Sequence, residues 1–411
     1  MHPWLVSSRN LLRRRHFVGL LFATAALGLA FSFVSPFLSM WGTGEIGLTP
    51  VWFSAFMTVV TLSAIAVSTV LARWSDSHTS RRTMLLAGSA AGVLGYAGYA
   101  LLRNPVALVF WGLTFVALSS VCFSQLFAHV REEFSSEGES GDATIVMSIV
   151  RVCFSVAWTF GPAVAATTLA HLGFRGLFFG AAGLYLAFFV GVARFVPHHP
   201  PQPGLESHGR EPIWRVLSRR DLLACFLAFA LVFAAHALNM MNLPLLITRQ
   251  LGGTPGDLGV AFIIGPIAEI PLMLWFGQLA ATGGRLRLIR FGVVATALYF
   301  VGLSCAREPW HIFPIQILSG VSFAILTNVA ISFFQDLLPG QAGLATTVYS
   351  NAGNAGNLAG YFSFGGLVSV LGHGGAPFAC AAACVAAFVL LLAVPAHAEK
   401  GALRPHLATG A

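Results

Sequence analysis

The sequence predicts an all-α membrane protein, with about twelve transmembrane helices arranged in two six-helix bundles. Three observations carry that expectation. Of the 411 residues, 56% are hydrophobic and only 9% charged, whereas a soluble chain would carry about a quarter charged residues. Apolar stretches of about 20 residues, the length that crosses a bilayer, recur along the chain. One polar, proline-rich break, with Pro197, Pro200, Pro201, Pro203 and Pro212, separates six of these stretches from the other six.

Residues 1–15 form a polar arm ending in Arg13, Arg14 and Arg15. The apolar run from Phe17 to Trp41 is too long for a signal-peptide core and ample for a span. Further runs lie near 50–72, 84–102, 105–129, 143–170 and 174–196, then near 221–248, 255–280, 288–305, 309–335, 344–370 and 375–395. The expected division is therefore an arm (1–15), an N-terminal six-helix bundle (16–196), a linker (197–220), a C-terminal six-helix bundle (221–395) and a tail (396–411). Charge orients the spans. Placing the arm, the even-to-odd loops, the linker and the tail on one side collects eighteen of the 23 basic residues there. Only Arg103, Arg175, Arg249 and Arg307 fall on the other side, and Arg151 lies inside a span. By the positive-inside rule both termini are cytoplasmic.

Composition also excludes functions. All basic residues but Lys400 are arginine, and Lys400 is followed by Gly401. A nucleotide-binding phosphate loop needs lysine before Ser or Thr, so energy comes from an ion gradient, a substrate gradient or a partner chain. The arginines sit in short loops rather than along one hydrophilic face, which argues against a nucleic-acid partner. Cys380 and Cys384 are one helical turn apart but lack a nearby His or acid, so they read as small buried residues and no metal or other cofactor is expected.

The stretch that stands out is Phe262 to Trp275, FIIGPIAEIPLMLW. A carboxylate in hydrocarbon costs at least about 3 kcal/mol by insertion scales, so Glu269 should face a cavity or pair with a partner. Pro266 and Pro271 each deprive the carbonyl four residues earlier of its donor, at Phe262 and Ile267, which makes a wet, doubly interrupted span the expectation. A proton-coupling role or a helix-to-helix lock both fit Glu269. In the fifth span Arg151, Ser155, Trp158 and Pro162 share one helical face. Guanidinium, hydroxyl and indole on one stripe suit a polyol, and Arg151 should face the cavity, pair with Glu269, or both. The eleventh span holds Asn351, Asn354 and Asn357 among Gly353, Gly356 and Gly360; the glycines favour close helix contact. Asn351 and Arg151 stand 200 positions apart (351 − 151) at similar depths, as a repeat would place them. Gln125, Asn239, Asn242, Gln316, Asn328 and Gln335 add amides at depth, fitting a neutral, hydroxyl-rich ligand. His129 and His236 can titrate near neutrality, with a helix-to-helix hydrogen bond the plainer role for His236. Between the second and third spans, Asp76 followed by Arg81 and Arg82 can form a conformational charge latch. The corresponding loop of the second half, Gly283-Gly284-Arg285-Leu286-Arg287, keeps the basic residues but lacks an acid.

Two six-span halves related by a repeat are the plan of the major facilitator transporters. Within that superfamily the chain resembles the bacterial sugar efflux transporters. The likeness includes Ser75-Asp76-Ser77 with Arg81-Arg82, Gln125-Leu126-Phe127-Ala128 with Arg131-Glu132, and Arg151, Ala157-Trp158 and Gly161-Pro162. It continues with Glu269-Ile270-Pro271 and the stretch from Phe334-Gln335-Asp336-Leu337 through Pro339-Gly340, Ala342-Gly343 and Ala345-Thr346-Thr347 to Asn351. The resemblance implies the major facilitator fold in the bacterial inner membrane and export of sugars such as lactose, glucose or related glycosides, by exchange for protons. Sugar, protons and membrane lipid are then the partners, without nucleotide or nucleic acid. Where members of that family carry an aspartate, this chain has Asn242 before Leu243-Pro244, which puts the sugar and the stoichiometry in question. A multidrug exporter of the same fold is the alternative. A polytopic membrane enzyme is disfavoured, because Glu45, Asp257 and Glu308 are isolated and His171, His311 and His373 scattered.

Overall fold

A computed structural model describes residues 15–135, 140–197, 217–281, 283–339 and 341–394. Most of the expected linker, the arm up to residue 14 and the whole tail lie outside the described residues. Among the described residues every regular element is helical. The main helices are α1 (Arg15–Val34), α2 (Pro50–His78), α3 (Arg81–Leu101), α4 (Pro105–Trp111), α5 (Val121–Ser135) and α6 (Ser140–Phe195). They are followed by α7 (Arg220–Leu245), α8 (Pro255–Ala281), α9 (Arg285–Cys305), α10 (Ile312–Phe323), α11 (Ala330–Leu337) and α12 (Ala342–Leu392). Among the described residues ten segments are long and apolar enough to cross a membrane, and two of these, Ile149–Phe195 and Leu344–Leu392, run to 47 and 49 residues. At about 1.5 Å per residue, each is about twice the length that a hydrocarbon core requires.

Both long helices break at a glycine. Gly173 (φ 64°, ψ −169°) interrupts α6 and Gly372 (φ 69°, ψ 175°) interrupts α12. Both breaks fall inside the gaps that the apolar runs predict, and a positive φ is a conformation only glycine adopts without cost. They stand 199 positions apart (372 − 173). Other features repeat too. π-helical turns occur at Trp41–Glu45 and Gly112–Val116, and again at Leu246–Gln250 and Ala324–Val329. Arg82 of α3 caps the end of α6 by donating to the Ala193 carbonyl at 2.7 Å. Arg290 of α9 caps the end of α12, through Leu391 O at 2.7 Å and Val394 O at 3.2 Å. In each case a cation neutralises the carbonyl-rich end of a helix dipole.

The chain divides into two compact units, one of Met1–Leu48 with Phe56–Glu206, the other of Thr49–Ala55 with Ser207–Ala411. In the first, α1 presents Leu20, Ala23, Leu27 and Ala30, all at most 4% exposed, at helical spacing. Helices in lipid gain little from apolar burial, so close backbone approach has to hold them together. Accordingly, a methyl on Gly28 would stand 2.9 Å from the Phe154 carbonyl, and one on Gly191 would meet Ala23 Cβ at 3.0 Å. Both segments of α6 thus grip α1. Trp41, Tyr96, Tyr99, Phe178 and Tyr185 fill the adjoining space as an aromatic cluster, with Trp41 and Tyr99 stacked at 5.1 Å and Tyr96 and Tyr185 at 5.4 Å.

In the second unit the expected glycine contact is present. A methyl on Gly356 would meet Phe233 Cβ at 2.7 Å, and one on Gly360 would meet Ala237 Cβ at 2.8 Å, each also pressing on a backbone carbonyl of α7. Gly360→Ala should therefore lower stability by about 1–3 kcal/mol through overpacking. Gly353→Ala, whose methyl would lie 3.7 Å from the Phe233 ring, should be near neutral. Thermal unfolding of both variants in detergent checks this, and equal melting points would remove Gly360 as a crossing point.

Candidate functional site

In the second unit, Glu269 lies midway along α8, which runs as one helix through Pro266 and Pro271. The expected double interruption is thus confined to lost backbone hydrogen bonds, because the helix tolerates each proline without unwinding. At Gly320, α10 crosses this stretch so closely that a methyl there would stand 2.7 Å from Gly265 O, 2.9 Å from Ala268 Cβ and 3.1 Å from Glu269 N. Asn328 Nδ2 donates to Met273 O at 3.2 Å, one turn beyond the carboxylate. The Glu269 side chain is half-buried and makes no ion pair or hydrogen bond among the described residues. An unpaired carboxylate at this depth is costly, and protonation removes the cost.

On α12, Asn351 and Asn357 are half-buried and Asn354 is exposed, none with a hydrogen-bond partner among the described residues. Other amides of this unit are spent on the protein. Asn242 is fully buried and clasps His373, donating through Nδ2 to its carbonyl at 2.8 Å and joining Nδ1 through Oδ1 at 2.9 Å. His373 immediately follows the Gly372 break, so Asn242 fixes the turn within α12. Asn239 Nδ2 donates to Tyr299 Oη at 3.0 Å. Gln335 Nε2 donates to Thr346 Oγ1 at 3.3 Å.

At one end of this unit the acid missing from the Gly283–Arg287 loop is supplied by another helix. Arg285, at the start of α9, pairs with Asp336 of α11. Arg219 binds Asp221 with two contacts, at 2.6 and 3.3 Å, and reaches Leu337 O at 3.3 Å. Neither Arg219 nor Asp336 stands out in the sequence as a latch residue. The clue was available, since Asp336 belongs to the Phe334-Gln335-Asp336-Leu337 stretch.

In the first unit, Arg151, Ser155 and Trp158 form the expected stripe and all are exposed, while Pro162 is buried. Trp158 stacks on Phe154 at 6.1 Å. Arg151 carries no ion pair or hydrogen bond among the described residues. Gln125, by contrast, is buried and accepts from Arg81 Nη1 at 3.1 Å. That contact makes it a support for the latch arginine. Ser80 caps α3 by accepting from Thr83 N at 3.3 Å, which places Arg81 and Arg82 in its first turn. The side chain of Asp76, the latch acid, lies outside the described residues.

The acids that a loop-based enzyme would need are held at helix ends. Glu45 pairs with Arg103 at 3.4 Å. Asp257 receives Thr254 N at 2.7 Å and Thr254 Oγ1 at 2.8 Å in the cap of α8. Glu308 and His311 form a reciprocal capping box.

Comparison with known proteins identifies the family and the fold. The family model of the Major Facilitator Superfamily matches residues 139–361 and 225–408. The chain is 31% identical over 324 residues to sugar efflux transporter B of Salmonella typhimurium, covering 79% of this chain and 81% of that one. It is 30% identical over 329 residues to sugar efflux transporter A of Dickeya chrysanthemi, covering 80% and 83%. Among solved structures, a mutant of the nucleoside transporter NupG superposes with a TM-score of 0.77 at 14% identity, over 92% of this chain and 99% of that one. A POT family transporter in complex with a thioalcohol-conjugated peptide gives 0.71 at 14% identity, over 92% and 96%.

Proposed function

From its place in the sugar efflux transporter family of the major facilitator superfamily, to which the chain belongs, we propose that this protein exports mono- or disaccharides or glycosides in exchange for protons. As a member of a transporter family, it is a multi-pass membrane transporter and not an enzyme. The sugar assignment rests on relatives that carry that function in their names. The single structural observation that carries the proton assignment is the unpaired Glu269 carboxylate within a membrane span. Protonation neutralises it and deprotonation charges it, so its state biases any equilibrium that changes its surroundings.

Within the first unit, Arg151, Ser155 and Trp158 form an exposed polar stripe suited to a sugar; within the second, half-buried Asn351 and exposed Asn354 leave their amides unengaged. An indole covers the apolar face of a sugar ring while guanidinium and amides bond its hydroxyls. Gln125, Asn239, Asn242 and Gln335 act behind them as supports. Counting each side of the Gly173 and Gly372 breaks as a crossing gives twelve crossings, and the arginine asymmetry supports cytoplasmic termini; the family resemblance supports a bacterial inner membrane. Transport proceeds by alternating access, with the arginine latches holding one state.

The test is counterflow of a labelled sugar panel in proteoliposomes, with and without an imposed pH gradient. Competition by one or more sugars, accelerated by the gradient, is the expected result. Competition by a lipophilic cation and by no sugar would replace this reading with a multidrug exporter.

A further inference from the structure

The turn within α12 is held at two places by α7 and the π-helical turn that extends it. Asn242 meets His373, immediately after the Gly372 break. The side chain of Gln250 lies across Gly374, where a methyl would stand 2.3 Å from Nε2 and 3.1 Å from Cδ. The two holding residues are eight apart (250 − 242), which at 3.6 residues per turn overshoots two turns by about 80°. The π-helical turn Leu246–Gln250 takes up that excess, so both side chains bear on the same turn.

The contacts with Asn242 fix the chemistry of the imidazole. A backbone carbonyl only accepts, so Asn242 Nδ2 is the donor to His373 O at 2.8 Å, and Asn242 Oδ1 is an acceptor. The 2.9 Å contact between Oδ1 and His373 Nδ1 is then a bond that Nδ1–H donates. In the neutral ring this leaves the lone pair on Nε2. The ring is half-buried. Nε2 has no partner among the described residues and is not one of their sealed, unpartnered polar atoms, so it opens to solvent.

We propose that His373 Nε2 is a proton-binding site through which extracytoplasmic acid releases this turn from α7. The side rests on the topology proposed above. The bond to Asn242 survives protonation, since Nδ1 donates in both forms; what changes is the charge. Facing the ring are neutral Asn242 from α7 and, from the π-helical turn, Arg249, whose guanidinium acts on it electrostatically. α12 itself contains no acid, lysine or arginine and no second histidine. An imidazolium here adds a second cation beside Arg249 on a half-buried ring, so charging costs more in the clasped turn than in a released one. The released turn therefore binds the proton more tightly, and falling pH favours release below about 6.5, the ordinary histidine value. Above it the ring is neutral in both states and the clasp holds at full strength. On release, the segment of α12 that carries Asn351 and Asn354 loses its anchor at that end.

The test needs no sugar. The full chain in lipid nanodiscs carries 15N-labelled histidine, and the His373 signals are identified by their loss in His373→Asn. At pH 7.5 the spectrum should show a protonated Nδ1 and a bare Nε2, and Nε2 should gain its proton as the pH falls to 5. Amide hydrogen exchange over Gly372–Gly375, corrected for the intrinsic effect of pH, should be at least about threefold faster at pH 5 than at pH 7.5. In His373→Asn, whose amide can take the place of Nδ1–H, the two rates should agree within about 1.5-fold. His373→Gln decides by the same criterion should His373→Asn not fold. A protonated Nε2 at pH 7.5, no acid acceleration in wild type, or the wild-type acceleration in the variant overturns the site. The side is read separately: an impermeant maleimide should label the exposed Cys305, which the same topology puts on the side of this turn, in intact cells. A mistaken topology is thus distinguishable from a mistaken site.

Discussion

Glu269→Gln abolishes sugar movement driven by a pH gradient and leaves sugar-for-sugar exchange measurable. Glutamine matches the protonated acid in shape and in neutrality, so the variant should still bind sugar and still interconvert between its two facings. What it loses is the charged state. In wild type, charging this side chain without a partner costs about 3 kcal/mol, and that penalty restrains movement of the unloaded, deprotonated carrier. An energy of that size corresponds to a factor of about a hundred in rate, which sets the expected loss of pH-driven flux. Exchange should remain within about threefold of wild type, a change equivalent to less than 1 kcal/mol. Both rates come from the same proteoliposome preparation, so expression and folding cancel. Wild-type pH-driven flux in the variant would reduce Glu269 to a structural group and leave coupling to another residue.

The contrast between Glu269 and Asn242 explains which parts of the site could be seen in the sequence. A carboxylate among apolar residues stands out by its cost alone, whatever surrounds it. An amide does not. Asn242, Asn351 and Gln125 look alike in an apolar run, yet Asn242 is spent on His373 at a separation of 131 positions, Gln125 on Arg81, and only Asn351 is left with its amide unengaged. Which partner an amide finds is decided by tertiary packing, about which helical periodicity says nothing. Features set by local chemistry were legible. The Gly173 and Gly372 breaks lie in the predicted gaps, and the Gly356 and Gly360 crossing follows from small residues four apart. Features made by long-range pairing were not, as the Tyr96–Tyr185 stack, the Arg290 cap of α12 and the Asn239–Tyr299 hydrogen bond show.

The Arg285–Asp336 pair is the clearest of these, and it carries the second large effect. Both side chains are mostly shielded, at 28 and 17% exposure, and they tie the start of α9 to the end of α11. Removing one partner strands the other. An exposed pair would cost up to about 1 kcal/mol and a fully buried one about 3–5 kcal/mol, so Asp336→Asn and Arg285→Gln should each lie between these limits. If the pair only staples two helix ends, the loss appears in thermal stability and transport follows in proportion. If it is a latch that holds one conformation, transport falls by about tenfold or more, as loss of about 1.4 kcal/mol of bias in a two-state equilibrium requires. Stability then changes little, because the alternative state remains folded. The exchanged double variant Arg285→Asp with Asp336→Arg separates charge pairing from shape. Recovery of at least half the wild-type flux, with a coupling energy of about 1 kcal/mol or more in the cycle, is the expected outcome for residues in direct contact. Additive losses in the double variant would mean that the two residues act independently, and the loop before α9 would then serve topology alone.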